Sequence, residues 1–209
     1  GDYKIWVKVD DGFGPITFGP VVVTRTIDPG WAKTWGGISY DWGFGVATDN
    51  SGNIYVTGAY NGMVDFDPGA GVDVHTSIGG TDVFLSKFDA SGAFIWAQTW
   101  GGSSSDNGIM VATDSSGNVY TTGSFMCTVD FDPGAGTDNH SSNGISDIFL
   151  SKFNSAGSFQ WAKTWGGCVQ DAGYSIATDS SNNIYITGYF QSTVDFDPGV
   201  GTDNHTSNG

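Results

Sequence analysis

The chain has 209 residues and a formal charge of −15, built from 22 acidic side chains, all of them aspartate, against seven lysines and arginines. That balance argues against nucleic acid and anionic membrane as partners and makes cations the natural counterpart. Leucine occurs only at Leu85 and Leu150, while Gly, Ser, Thr, Asn and aromatic residues abound. Such an inventory is poor in helix formers and rich in turn and strand residues, so the chain reads as all-β. The longest apolar run falls far short of a membrane span.

In chain order, residues 1–30 stand apart. GDYKIWVKVDDGFG alternates Tyr3, Ile5, Val7 and Val9 with Lys4, Trp6, Lys8 and Asp10, and PVVVTRTI follows as a second strand. This resembles the closing hairpin of immunoglobulin-like or PKD-type bacterial surface domains. A second reading makes residues 2–11 a stand-in for the third strand of a sheet unit whose fourth strand is Trp31 to Trp35.

From Trp31 onward everything recurs at an interval of 65 residues. WAKTWGG (31–37) returns as WAQTWGG (96–102) and WAKTWGG (161–167), and VDFDPGAGVDVH (64–75) as VDFDPGAGTDNH (129–140) and VDFDPGVGTDNH (194–205). A fixed period of this kind marks stacked supersecondary units, each unable to bury its own apolar surface alone. The repeats are delimited as 31–95, 96–160 and a partial third at 161–209. Within a unit, FGVATD and NIYVTG flank the turn NSG, and VFLSKFD and AFIWAQTW flank ASG. Each is a strand pair on a short Gly-containing connection. The unit is therefore four antiparallel strands with a long insertion between the second and third. Along the fourth strand neither face is fully polar, as expected of sheets packed on both sides.

Four-stranded sheets in tandem are the makings of a β-propeller, whose ordinary blades take roughly 40–50 residues; the surplus here is the DFDPG insertion. ATDSSGN(I/V)Y followed by D(V/I)FLSKF and WAKTWGG resembles the bacterial β-propeller repeat family SBBP. The resemblance implies blades, and attachment to secreted or surface proteins; it implies no activity. Asp89 to Trp96, D-x-S-G-x-x-x-W, resembles the tryptophan-docking motif of quinoprotein propellers, which implies a packing role only. The chain opens within a strand and stops within a repeat, so its ends read as those of a piece of a longer chain. Open blade edges on such a piece invite self-association.

The candidate site residues are the repeated aspartates of the insertion: Asp65, Asp67 and Asp73, then Asp130, Asp132 and Asp138, then Asp195, Asp197 and Asp203. Two carboxylates two residues apart project to one side of an extended chain, and Pro-Gly then turns the backbone, which fits two readings. One is a calcium site of hard oxygen ligands, though without the spacing or the terminal Glu of an EF-hand. The other is turn chemistry, with Asp67 capping the Pro-Gly turn and Asp65 solvating a loop. His75, His140 and His205 end the same loops and read as hydrogen-bonding anchors. Asp49, Asp114 and Asp179 read as acceptors for turn amides, and so do Asp41, Asp106, Asp171, Asp82 and Asp147.

The regularly placed tryptophans read as packing between blades, while Trp42 and Trp6 do not repeat and are free to be surface features. Cys127 and Cys168 hold non-equivalent positions and form no repeat-wide disulfide or zinc pattern. No nucleophile elbow, phosphate loop or HExxH helix occurs. The expectation is a non-enzymatic, extracellular or cell-surface scaffold or adhesion repeat protein, with calcium as a candidate cofactor and an unidentified protein or glycan as partner. The alternatives are a self-assembling matrix or filament protein, and part of a propeller hydrolase or lyase with its site elsewhere.

Overall fold

The computed structural model of the chain describes residues 21–25 and 31–208. Of the hairpin expected within 1–30, the first strand and residues 26–30 lie outside these described residues. Eighteen strands are present among them, and the two complete sheets have the expected four-strand composition.

The first sheet orders β3 (Asp41–Thr48), β4 (Ile54–Tyr60), β7 (Asp82–Phe88) and β8 (Phe94–Trp100), all antiparallel. The second repeats it with β9 (Asn107–Thr113), β10 (Val119–Phe125), β13 (Asp147–Phe153) and β14 (Phe159–Trp165). β15 (Ala172–Thr178) and β16 (Ile184–Tyr189) form the first pair of a third. The first strands β3, β9 and β15 stand side by side, as blades arranged about a common axis require.

The hairpin turns follow from local chemistry. In DNSGN the Gly52 amide donates to the Asp49 carbonyl at 3.0 Å with Gly52 at φ +79°, and Gly92, Gly117 and Gly157 repeat the arrangement. At the corresponding place in the third copy stands Asn182, at φ +64°, a residue that tolerates the left-handed region through local hydrogen bonding.

Two features differ from the sequence expectation. The DFDPG insertion is not irregular throughout but contains a small hairpin: β5 (Met63–Asp65) with β6 (Val74–Thr76), β11 (Thr128–Asp130) with β12 (Asn139–Ser141), and β17 (Thr193–Asp195) with β18 (Asn204–Thr206). Three-residue strands carry too little alternation to be read from a pattern.

The second difference concerns β1 (Val21–Arg25), which pairs with β2 (Trp31–Trp35) so that Thr24 faces Ala32 and Arg25 faces Trp31. That is the register of β7 on β8, where Ser86 faces Ala97 and Lys87 faces Trp96. Residues 21–25 thus hold the place of a blade's third strand, the role the sequence had suggested for 2–11. The sheet order also shows that each 65-residue repeat begins with the last strand of the preceding blade.

The core lies between blades rather than within them. Tyr55, Val83, Leu85 and Trp100 of the first sheet pack with Val119, Phe125 and Phe149 of the second in one buried cluster. Trp100 sits edge-on to Phe149, with centroids 6.3 Å apart, and tilted at 5.1 Å to Phe153; Trp35 meets Phe84 and Phe88 in the same manner. The tryptophans are seam residues, as their periodicity implies. Threonines stitch the seam further: Thr113 Oγ1 donates to the Thr48 carbonyl and Thr178 Oγ1 to the Thr113 carbonyl, both at 2.8 Å.

Candidate functional site

In each DFDPG loop the aspartates serve the backbone. Asp65 Oδ1 accepts the amides of Asp67 at 3.1 Å and Asp73 at 2.8 Å, so one carboxylate ties the two limbs of the insertion together. Asp67 Oδ1 accepts the Gly69 amide at 2.7 Å and closes the Pro-Gly turn. The second loop repeats this with Asp130 and Asp132, and the third with Asp195 and Asp197. Asp65 therefore does more than solvate a loop.

The third aspartate turns toward the histidine: Asp73 Oδ1 lies 3.4 Å from His75 Nε2, and Asp138 and Asp203 stand likewise to His140 and His205. His75 Nδ1 meets Thr99 Oγ1 at 2.9 Å and its ring stands edge-on to buried Phe66, which locks the loop to the fourth strand. His140 does the same with Thr164 and Phe131.

In each loop one oxygen of each carboxylate is given to an amide or to the histidine. Among the described residues no group of three His, Cys, Asp or Glu side chains stands where it could hold a metal ion. A protein closed by these hydrogen bonds should melt at the same temperature in EDTA as in calcium chloride. Asp130→Ala should cost about 2 kcal/mol, since two hydrogen bonds to a carboxylate are lost. A melting temperature that rises with added calcium would instead assign the loops to the ion.

Asp49, Asp114 and Asp179 organise the tight turns. Asp49 Oδ1 accepts the amides of Ser51 and Asn53, and its Oδ2 accepts Asn53 Nδ2 and the Tyr55 hydroxyl. Burial pushes its carboxyl up, but these hydrogen bonds outweigh burial and hold it below the ordinary range; Asp114 behaves alike.

A second set of carboxylates was grouped with these from the sequence, yet the fold treats it differently. Asp41, Asp82, Asp106, Asp147 and Asp171 are all buried, at 3% exposure or less. Asp106 is well satisfied, taking the Gly102 amide at 2.8 Å and the Met126 amide at 2.9 Å. Asp82 Oδ2 takes the Ile78 amide at 3.0 Å, while its Oδ1 is buried with no hydrogen-bond partner, as are Asp41 Oδ1 and Asp147 Oδ1.

Burial pushes Asp82 up to about 6, the Ile78 amide pulling the other way and the nearby Asp106 carboxylate adding to the rise. Burial likewise lifts Asp106 to about 6 against its two amides. Asp147 is raised by burial first and by the charge of Asp171 as well. The W-G-G motif is explained here: a Cβ on Gly101 or Gly166 would overlap the carboxyl of Asp82 or Asp147, so only glycine leaves room for it. For Asp82 and Asp147 the available sequence signal was an aspartate immediately before the apolar runs Val-Phe-Leu and Ile-Phe-Leu, where a solvated residue is not expected.

The model of the SBBP family, described as a beta-propeller repeat, matches residues 31–59 and 169–189. The chain is 30% identical over 200 residues, 84% of its length, to a protein of Acanthamoeba polyphaga mimivirus named "Uncharacterized WD repeat-containing protein L264". It is 29% identical over 143 residues, 66% of its length, to "Regulatory protein FlaEY" of Caulobacter vibrioides. It spans 14% and 15% of the lengths of these two relatives.

Proposed function

We propose that this β-propeller repeat protein is a non-enzymatic scaffold of the cell surface or extracellular space, whose blades hold a rigid surface on which a partner is bound. The observation that supports this reading is the identical self-closure of the loops. Asp65, Asp130 and Asp195 each pin the two limbs of their insertion through the same pair of amides. With histidine and threonine then locking loops to the sheet in the first two copies, the repeated elements are committed to shape. Chemistry needs a constellation that breaks symmetry, and these elements keep it. The strongly acidic surface favours solubility and repels anionic lipid and nucleic acid.

The test is protease shaving of intact cells that make the protein. Digestion by externally added proteinase K before lysis is the expected result, and protection until lysis would overturn the surface assignment.

A further inference from the structure

The copies differ at several places, and one set of differences falls on neighbouring strands. Two such positions lie along or just before the first strands. There the position of Phe44 becomes Ile109 and then Tyr174, and that of Tyr40 becomes Ser105 and then Gln170. On the adjoining second strands, Ala59 becomes Ser124 and then Tyr189. The intervening residue, by contrast, is Asp41, Asp106 and Asp171 in the three copies.

Apart from Tyr40 and Ala59, these divergent residues line a single cleft of about 460 Å³ across β3, β9, β10, β15 and β16. That volume falls within the roughly 300–1,000 Å³ typical of small-ligand sites. A face that varies from copy to copy of a repeat is where such proteins carry recognition.

The chemistry of the lining narrows the ligand. Phe44 and Tyr174 are half exposed, at 48% and 51%, and Tyr174 lies against Tyr189 with ring centroids 5.4 Å apart. Among these rings stand the hydroxyls of Ser105 and Ser124 and the amides of Asn107 and Gln170, which both donate and accept. In a chain carrying 22 aspartates, no carboxylate, lysine or arginine among the described residues is part of the lining. An anionic ligand has no countercharge here and a cation has no carboxylate. A ligand with many hydroxyls and flat C–H faces matches both halves of the lining.

We propose that this cleft binds a neutral carbohydrate, one sugar face resting on Tyr174 and its hydroxyls held by the amides of Asn107 and Gln170. The inference deepens the scaffold reading, which it takes as its premise, by naming the partner's chemical class.

The experiment is a calorimetric and array screen of the whole chain against neutral oligosaccharides of glucose, galactose, mannose and N-acetylglucosamine. Sialylated and sulfated counterparts form the charged arm. At least one neutral series binds, and Tyr174→Ala weakens it about tenfold, the loss of one aromatic contact. Gln170→Ala weakens it by less, and Tyr185→Ala, an exposed tyrosine outside the cleft, leaves it unchanged. Because Tyr174 and Gln170 are exposed, both variants keep the parent melting temperature. Binding of charged glycans alone, binding of no neutral glycan, or equal losses at Tyr174 and Tyr185 would each overturn the site. Failure here with a protease-accessible protein removes the sugar and leaves the scaffold reading standing, whereas protease protection removes the scaffold reading itself.

Discussion

Trp100→Ala is expected to cost about 4 kcal/mol, whereas Ile95→Ala, at an exposed position of the same strand, should cost no more than about 1 kcal/mol. Trp100 is 4% exposed and packs on Phe149 and Phe153 across the seam between the two complete blades. Truncating it removes a large buried side chain and leaves a cavity that a four-stranded sheet on either side cannot close, so both the transfer and the cavity contributions are lost. Its indole nitrogen has no hydrogen-bond partner, so the loss is one of packing alone. Ile95 instead is 46% exposed, so its truncation gives up little burial. Urea unfolding followed by tryptophan fluorescence and circular dichroism separates the two variants. Loss of the seam should also split one transition into two, because stability in repeat proteins resides in the contacts between neighbouring units. Equal costs at the two positions would mean that the seam between blades carries no special share of the stability, contrary to the placement of the core.

Stability is expected to rise as pH falls from 8 to 5, by about 3 kcal/mol, the reverse of an ordinary acidic protein. Asp82 and Asp106 are held near 6 in the folded chain against an unfolded value of 3.8, so the folded state binds their protons more tightly. Their contribution is therefore complete below about pH 4 and is lost as pH climbs through 6. Asp49 and Asp114 work in the opposite sense: their carboxyls are held below 3.8, so their contribution is present above that value and fades as pH drops below it. The two groups together place maximum stability between roughly pH 4 and 6. For a chain of this size the difference between pH 8 and pH 5 corresponds to a shift in melting temperature of about 8 °C. Asp82→Asn should raise the melting temperature at pH 8 and flatten the profile. The amide keeps an acceptor for the Ile78 N–H and removes the buried charge whose Oδ1 lacks a partner. A melting temperature that falls from pH 8 to pH 5 would show that these carboxylates are solvated.

For the loops, part of the aspartates' role in the turn was legible in the sequence. Asp67 before Pro68-Gly69 could be read as a turn cap because an aspartate two residues before an amide meets it by local geometry alone, as its 2.7 Å bond to Gly69 shows. Asp65 could not be read in this way, since the Asp73 amide it binds is eight residues on and arrives only once β5 and β6 have paired. The divergent cleft positions were present in the sequence as mismatches between copies. Their meaning depended on knowing that they face the same side of neighbouring strands.

By itself the sequence determined the all-β class, the 65-residue unit, its four strands and the seam tryptophans, because periodicity, turn chemistry and alternation are local and recur. Only the tertiary structure decided which blade each strand belongs to, that Val21–Arg25 takes a third-strand position, and that Asp82 and Asp106 are buried beside each other while Asp65 is not. Burial and charge proximity depend on which neighbours arrive from other repeats.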